Sequence, residues 1–219
     1  MEAAEILGDQ AADTIDQIIR DILAAGTTVL YANSHTLTSQ VAAGEVMTLA
    51  YLDSAVATLK ANNAKKMTNQ VDATTGYATS PIAAAFIGIV HPTIAVKIRT
   101  LALAASSWTP VEKYASQAGV MVGEIGSYGE IRFIETNNAK IKTGAGASSI
   151  DVYCTLILAQ NAYGMTRISG EALKNIVKPL GSAGSGDPLD QRATSGWKGV
   201  LTAKILNEDF IERIETAKV

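Results

Sequence analysis

The feature that most constrains the fold of this chain is the long amphipathic stretch at residues 3–25. Its apolar residues recur at helical spacing and fall on one face, at Leu7, Ala11, Ile15, Ile18 and Ile22. The opposite face carries Asp9, Asp13, Asp16, Gln17, Arg20 and Asp21. A helix that is apolar on one side needs a sheet or other helices along it, so we predict a helix that organises the fold and buries Ile18. Gly26 follows directly and is predicted to be a left-handed helix cap.

Composition restricts the class of protein before any motif is considered. The 219 residues suit one large domain or two small ones, and 47% apolar against 18% charged residues indicates a folded protein. A net charge of −3 gives none of the basic footprint that sequence-reading nucleic-acid proteins usually carry. Cys154 is the single cysteine, which excludes an intrachain disulfide and favours a reducing compartment. No apolar run approaches the ~20 residues of a transmembrane helix, so we expect no membrane partner.

Helical patterns come early in the chain and strand patterns come late, which predicts the α+β class. After the first helix we predict a helix at about 48–61, a helix from Pro92 to 104 and a short helix after Pro110. Strands are predicted at 27–31, 85–90, 130–135, 151–158 and 172–179, as one long strand around 194–206, and at 210–214. The run at 85–90 is continuously apolar and is predicted to be a buried central strand. We expect the first helix to lie across a sheet that contains both of the last two strands.

No group of residues in the sequence assembles into a convincing active site. His91 precedes a helix and is expected to cap its N-terminus or fill space, and Cys154 lies within an apolar strand. The glycine-rich tract at 181–186 lacks the Gly-Lys-Ser/Thr of a phosphate loop, and the glycines at 123–126 are predicted to form a turn. We therefore predict no catalytic residue, no metal site and no cofactor.

Five blocks of sequence, taken together and in order, resemble one family of tailed-bacteriophage major capsid proteins. The first two blocks are Gly26-Thr27 and Val90-His91-Pro92. The third is Gly123-Glu124-Ile125-Gly126 with Arg132 to Thr136, and the fourth is Asp151-Val152-Tyr153 with Ala162-Tyr163-Gly164. The fifth comprises Pro179 to Gly184, Asp187 to Arg192 and Trp197-Lys198, and it is closed by Arg213-Ile214-Glu215. The resemblance implies an α+β fold, the tailed-phage major capsid fold, which herpesviruses and encapsulins share. The positions that it marks as structural or assembly residues are Gly26, His91, Pro92, Gly123, Glu124, Gly126, Asp187, Pro188, Leu189, Gln191, Arg192, Trp197 and Lys198.

The resemblance also implies a division into two domains. A peripheral domain would hold residues 1–32, as a spine helix, and residues 186–219, as long strands, whereas 33–185 would form an axial domain around the capsomer axis. Asp187, Pro188 and Leu189 would mark the return from the axial to the peripheral domain.

The function that the resemblance implies is that of a structural subunit without enzymatic activity. Copies would self-assemble as pentamers and hexamers into an icosahedral shell, built in the bacterial cytoplasm, that encloses double-stranded DNA without reading its sequence. Portal and scaffolding proteins are further implied partners, and the virion capsid is the implied location. Two alternatives stay open: an encapsulin-like compartment shell, and a small cytosolic α+β enzyme in which His91 would lie beside Glu124 or Glu135 in a cleft.

One element of the family pattern finds no match in this sequence. Family members carry an N-terminal arm and an extended two-stranded loop before the spine helix, and both clasp neighbouring subunits. Because the sequence begins at the spine helix, we expect this chain alone to fold without closing into a shell, and to form monomers or small ring-like oligomers.

Overall fold

The structure is a computed structural model that describes residues 2–70, 81–114, 119–167, 173–182, 186, 189 and 191–218. Its helices are α1 (Glu2–Leu23), α2 (Leu49–Ala61) and α3 (Pro92–Ala104). Its strands are β1 (Val29–Tyr31), β2 (Phe86–Val90), β3 (Trp108–Pro110), β4 (Glu124–Tyr128), β5 (Ile131–Glu135), β6 (Ile141–Lys142), β7 (Val152–Leu158), β8 (Tyr163–Arg167), β9 (Lys174–Lys178), β10 (Thr194–Lys198), β11 (Leu201–Ile205) and β12 (Ile211–Ala217). The prediction of an α+β protein is confirmed.

The chain divides into two compact units. The larger unit comprises Arg20–Tyr163 and Ile205–Val219, and the smaller one comprises Met1–Ile19 and Gly164–Lys204. Within the described residues, eight strands of the larger unit form one mixed sheet in the order β1-β12-β7-β2-β5-β4-β3, with β6 paired to β7. The pairs β1–β12 and β2–β5 are parallel, and the other neighbours are antiparallel.

The core of the larger unit lies between this sheet and the helices α2 and α3. The helices contribute Leu52, Ala55, Leu59, Ile94, Ile98 and Ala102, and the strands contribute Phe86, Val90, Ile131, Phe133, Ile157 and Ile214. β2 is central because its apolar run is bordered by β5 on one side and β7 on the other. The predicted buried central strand is therefore confirmed.

The smaller unit packs the first part of α1 against strands from the second half of the chain. Antiparallel pairing joins β9 to β10 in one two-stranded sheet, and β8 and β11 form another. Trp197 of β10 lines a groove together with Leu7 and Ala11 of α1. This contact agrees with the predicted packing of the first helix on strands after residue 192.

Two details of the predicted architecture are wrong, and the short helix predicted after Pro110 is present in the described residues only as a 3₁₀ helix. The long strand around 194–206 is two strands, β10 and β11, separated at Gly199 and Val200. β12 pairs antiparallel with β7 over seven residues and so joins the larger sheet instead of a sheet with β10. After Pro110 there is a 3₁₀ turn at Val111–Lys113, and residues 115–118 lie outside the described part of the chain.

Two expectations for α1 are also wrong. Ala11 is buried, but Ile18 is 45% exposed, so the apolar stripe extends beyond the surface that covers it. The backbone of Gly26 does not have a positive φ, so Gly26 is not a left-handed helix cap. Among the described residues, no helix has the length and apolar character needed to cross a membrane.

Candidate structural and assembly sites

The end of α1 is joined to the large sheet by Arg213 of β12. Its guanidinium Nη1 donates to the carbonyl oxygens of Ala24 and Gly26, the second at 2.8 Å. Carbonyls beyond the last helical turn have no partner within the helix, and a cation at this end also interacts favourably with the helix dipole. Arg213 therefore fixes the point at which α1 passes into β1.

The carboxylate of Glu215 holds Arg213 in place and is itself fully satisfied. It accepts from Arg213 Nε at 2.7 Å, from Lys142 Nζ at 2.5 Å and from Thr38 Oγ1 at 2.7 Å. Glu215 is completely buried. A buried carboxylate is tolerated when cations and hydrogen bonds compensate its lost hydration, so these four side chains form one structural unit, which we call the β12 network.

Gly26 lies beside this network for a steric reason. The backbone N–H of Thr27 donates to Glu208 Oε2 at 2.8 Å. A Cβ atom on Gly26 would stand 3.1 Å from that oxygen and 3.3 Å from the carbonyl oxygen of Leu23. The position thus favours glycine because other groups approach closely.

His91 and Pro92 together begin α3. Pro92 is the first helical residue, and His91 Nδ1 accepts from the backbone N–H of Thr93 at 3.2 Å. The imidazole lies edge-on to the Tyr153 ring at 5.1 Å between centroids. Burial lowers the pKa of His91, while the charge of Glu135 acts in the opposite direction. The expectation that His91 caps the helix is confirmed, and a neutral imidazole is the form that accepts this hydrogen bond.

A buried ion pair joins Glu124 to Arg132 across β4 and β5. Arg132 Nε lies 2.6 Å from Glu124 Oε1, and Arg132 Nη2 lies 2.8 Å from Oε2, which is a bidentate geometry. The guanidinium also donates to the Gly119 carbonyl at 2.8 Å and lies 5.3 Å from the Tyr114 ring centroid. Desolvation raises the pKa of Tyr114 to about 12. Glu124 is therefore committed to an ion pair and not available as a general base.

Gly123 and Gly126, in the same sequence block as Glu124 and Arg132, each occupy a backbone position that favours glycine. Gly123 has φ +78 and precedes β4. Gly126 lies within β4 at an irregularity of the β4–β5 register, with φ +152. A Cβ there would stand 2.5 Å from Trp108 Cζ2 and 2.8 Å from the Thr109 carbonyl oxygen. The predicted turn over 123–126 is therefore a turn at Gly123 followed by a strand with a bulge.

The described residues of the last block from Pro179 to Lys198 belong to the smaller unit, whereas Arg213, Ile214 and Glu215 belong to the larger one. Trp197 is half-buried, and Leu189, Gln191, Arg192 and Lys198 are exposed. Asp187 and Pro188 lie outside the described residues, so their expected role at the domain boundary stays a prediction. Within the described residues there is no group of three or more side chains suited to a metal ion.

Arg213 and Glu215 of the β12 network and Arg132 were present in the sequence blocks, but their roles were not predicted. A detectable signal existed, because Arg132, Arg213 and Glu215 are charged residues within strand patterns that also carry large apolar residues. Their burial required partners. The sequence alone could not identify Lys142, Thr38 or Glu124 as those partners.

Comparison with solved structures identifies the architecture. The capsid of Ralstonia phage GP4 is similar with a TM-score of 0.66 and 15% identity, covering 97% of this chain and 66% of that one. The capsid of the cyanophage P-SCSP1u has a TM-score of 0.61 at 15% identity and covers all of this chain and 66% of that one. The SrpI encapsulin from Synechococcus elongatus PCC 7942 has a TM-score of 0.56 at 8% identity and covers 99% and 65%.

These similarities define the class: the chain has the tailed-phage major capsid fold, which encapsulins share. The fold predicted from the five sequence blocks is confirmed. No protein-family model matches the sequence, and no curated protein sequence does. The chain spans about two thirds of the length of the solved structures that it matches.

Proposed function

We propose that this protein is a major capsid protein, a structural subunit that assembles with copies of itself into the icosahedral shell of a tailed phage. The observation that carries the proposal is the match of nearly the whole chain to capsid structures of several phages. The match to the capsid of Ralstonia phage GP4 covers 97% of this chain, so the part left uncovered is shorter than α1 or the large sheet.

The arrangement of buried charges supports a structural role. The Glu124–Arg132 pair, the β12 network and the His91 cap each fix a junction between elements, and each uses the polar groups that a catalytic site would need. The enzyme hypothesis required His91 beside Glu124 or Glu135 in a cleft. Glu124 is bound by Arg132. His91 uses Nδ1 for the helix cap and lies edge-on to Tyr153, although the charge of Glu135 reaches its imidazole. We infer a protein that acts by assembly and not by catalysis.

The subunit would use its parts as capsid subunits of this fold do. Residues 33–185 would form the axial domain at the capsomer centre, and residues 1–32 and 186–219 would form the peripheral domain. The partners would be further copies in pentamers and hexamers, enclosed double-stranded DNA bound without sequence preference, and portal and scaffolding proteins. The shell would be assembled in the bacterial cytoplasm and would become the virion capsid.

A second candidate is an encapsulin-like compartment shell, because one similar structure is an encapsulin complex. The phage structures cited above have higher TM-scores and higher identity to this chain. The two candidates differ in what the particle contains, since a phage head holds DNA and an encapsulin holds protein cargo.

Density-gradient fractionation of lysate from cells that carry this gene separates the candidates. An antibody against this chain should detect it in a fraction of megadalton particles whose DNA resists added nuclease. Particles that contain this chain with co-purifying protein and no protected DNA would favour the encapsulin function. Recovery of the chain only in the low-mass fractions would contradict both.

A further inference from the structure

The first nineteen residues carry an exposed acidic face on α1. Glu5, Asp9, Asp13 and Asp16 recur three or four residues apart, so they lie along one side of the helix, and all four are exposed. This part of the chain contains no lysine or arginine. Ile6 is 68% exposed and lies next to this stripe. We call Glu5, Ile6, Asp9, Asp13 and Asp16 the acidic face.

The hairpin of β9 and β10, in the same unit, carries an exposed basic face. Lys198 is directly opposite Lys174 in the antiparallel register, and Thr194 is opposite Lys178. Side chains alternate along a strand, so Lys174, Ile176, Lys178 and Lys198 share one side of the hairpin. The three lysines are exposed, and Ile176 is 44% exposed. We call these four residues the lysine face.

The two faces lie on opposite sides of the smaller unit. Asn175 and Trp197, on the other side of the hairpin, line a groove of about 260 Å³ together with Leu7, Gly8 and Ala11 of α1. At ~100° per residue, these α1 positions are on the side of the helix opposite the acidic stripe. The acidic face of one molecule therefore points away from its own lysine face.

The lysine face has a physical reason to bind a negatively charged surface. Lys174 and Lys198 lie directly opposite each other in the register and Lys178 is on the same side, so this side of the hairpin gathers positive charge. An acidic surface laid on this side would be attracted to these lysines. The acidic face of α1 has the matching charge, and each face has one exposed isoleucine among its charged residues.

We propose that the lysine face binds the acidic face of a second copy of this chain. Ile6 of one copy and Ile176 of the next would provide the apolar contact, and the carboxylates and lysines around them would set the orientation. Because the contact joins two different surfaces, it is heterologous and generates rings or open chains of subunits. The inference rests on the proposed self-assembly and names one contact that would carry it.

Sedimentation velocity of the purified chain in 50 mM and 500 mM NaCl tests this contact. The variants are Glu5→Lys with Asp9→Lys, Lys174→Glu with Lys178→Glu, and a chain that carries all four reversals. Each pair of reversals should weaken self-association at least tenfold at low salt, because it sets like charges against each other, and the difference should shrink at high salt. The four reversals together should restore association, because they exchange the two charges and preserve their complementarity.

A matched control is Arg99→Glu with Lys113→Glu, two exposed positions in the larger unit. This control should associate like the unaltered chain, and circular dichroism should show that every variant is folded. A chain that stays monomeric at all concentrations, or association that neither pair of reversals weakens, would overturn the contact. So would lysine-face reversals that abolish binding of a DNA oligonucleotide and leave self-association unchanged. Shell particles that tolerate the reversals would overturn this contact alone, whereas absence of the chain from particles in the gradient would overturn the proposed function.

Discussion

Arg132 and Glu124 face each other across β4 and β5 as a bidentate ion pair that is almost fully enclosed, with 4% and 0% of their side chains exposed. An ion pair at this depth is tolerated only while both partners are present, because a single buried charge loses its hydration without compensation. The pair therefore holds the β4–β5 hairpin in one arrangement.

Replacing Arg132 by Met should lower the free energy of unfolding by about 3–5 kcal/mol, because Glu124 is left buried without its cation. Urea unfolding followed by circular dichroism measures the loss. The control is Lys60→Met, which removes one of two lysines from the partly exposed Glu130 and should cost less than about 1 kcal/mol. Equal losses in the two variants would show that the Arg132 pair has no special structural role.

Gly126→Ala should destabilise the fold by about 2 kcal/mol or more. The new Cβ would stand 2.5 Å from the Trp108 ring and 2.8 Å from a backbone oxygen, at a φ of +152, so either the indole or the strand must move. Gly8→Ala is the matched substitution, because nothing lies within 4 Å of the added Cβ. Within a helix this change should stabilise by up to ~1 kcal/mol. A Gly126→Ala variant with an unchanged free energy of unfolding would contradict the close packing at the bulge.

Arg213→Met should loosen the end of α1 before it unfolds the whole protein. The carbonyls of Ala24 and Gly26 would lose their donor, so amide hydrogen exchange should accelerate over residues 20–30. Lys140→Met, which removes an exposed pair with Asp21, is the control and should leave that exchange nearly unchanged. Unaltered protection in Arg213→Met would mean that the β12 network does not anchor the helix.

Glu212 makes stability depend on pH. Its side chain is buried opposite Ile157, its Oε2 atom has no hydrogen-bond partner among the described residues, and desolvation raises its pKa from 4.5 to about 7. In the unfolded chain the carboxyl would ionise at its ordinary pKa. The buried carboxyl therefore costs no stability through ionisation below about pH 4.5. As pH rises towards 7 the unfolded chain ionises first, so the free energy of unfolding declines by about 3 kcal/mol, and above pH 7 this effect is constant.

Glu212→Gln removes this decline, since the amide has nothing to ionise. Relative to the unaltered chain, its free energy of unfolding should rise by about 3 kcal/mol between pH 4.5 and pH 8. Glu5→Gln, at an exposed position of α1, should leave the pH profile as it is. Parallel profiles for Glu212→Gln and the unaltered chain would show that the folded protein does not hold this carboxyl in its neutral form.

The parts of the fold that could be predicted are those with local signals. The apolar run before His91-Pro92 identified a central strand and the helix after it, and the spacing at 3–25 identified α1. The extent of burial was not predictable, because periodicity shows that Ile18 lies on the apolar side but not how far the covering surface reaches. The division of 194–206 into β10 and β11 follows from strand pairing that is distant in sequence, as does the position of β12 in the larger sheet.

In the candidate sites, too, the features with a local sequence signal could be predicted and those that depend on distant residues could not. His91 could be assigned to a helix cap because the cap and the helix are adjacent in sequence. The left-handed cap expected at Gly26 was wrong, and the crowding by Glu208 could not be predicted because Glu208 lies far along the chain. The partners of Arg213 and Arg132 depend on tertiary contacts that no local pattern records.

The central claim, that this chain is the subunit of a phage shell, is tested most directly by electron cryomicroscopy of particles purified from cells that carry the gene. We expect an icosahedral shell whose pentamers and hexamers are each accounted for by copies of this fold, with α1 and the eight-stranded sheet resolved in every subunit. A shell built of another polypeptide, with this chain absent from the density and from the purified particles, would contradict the claim.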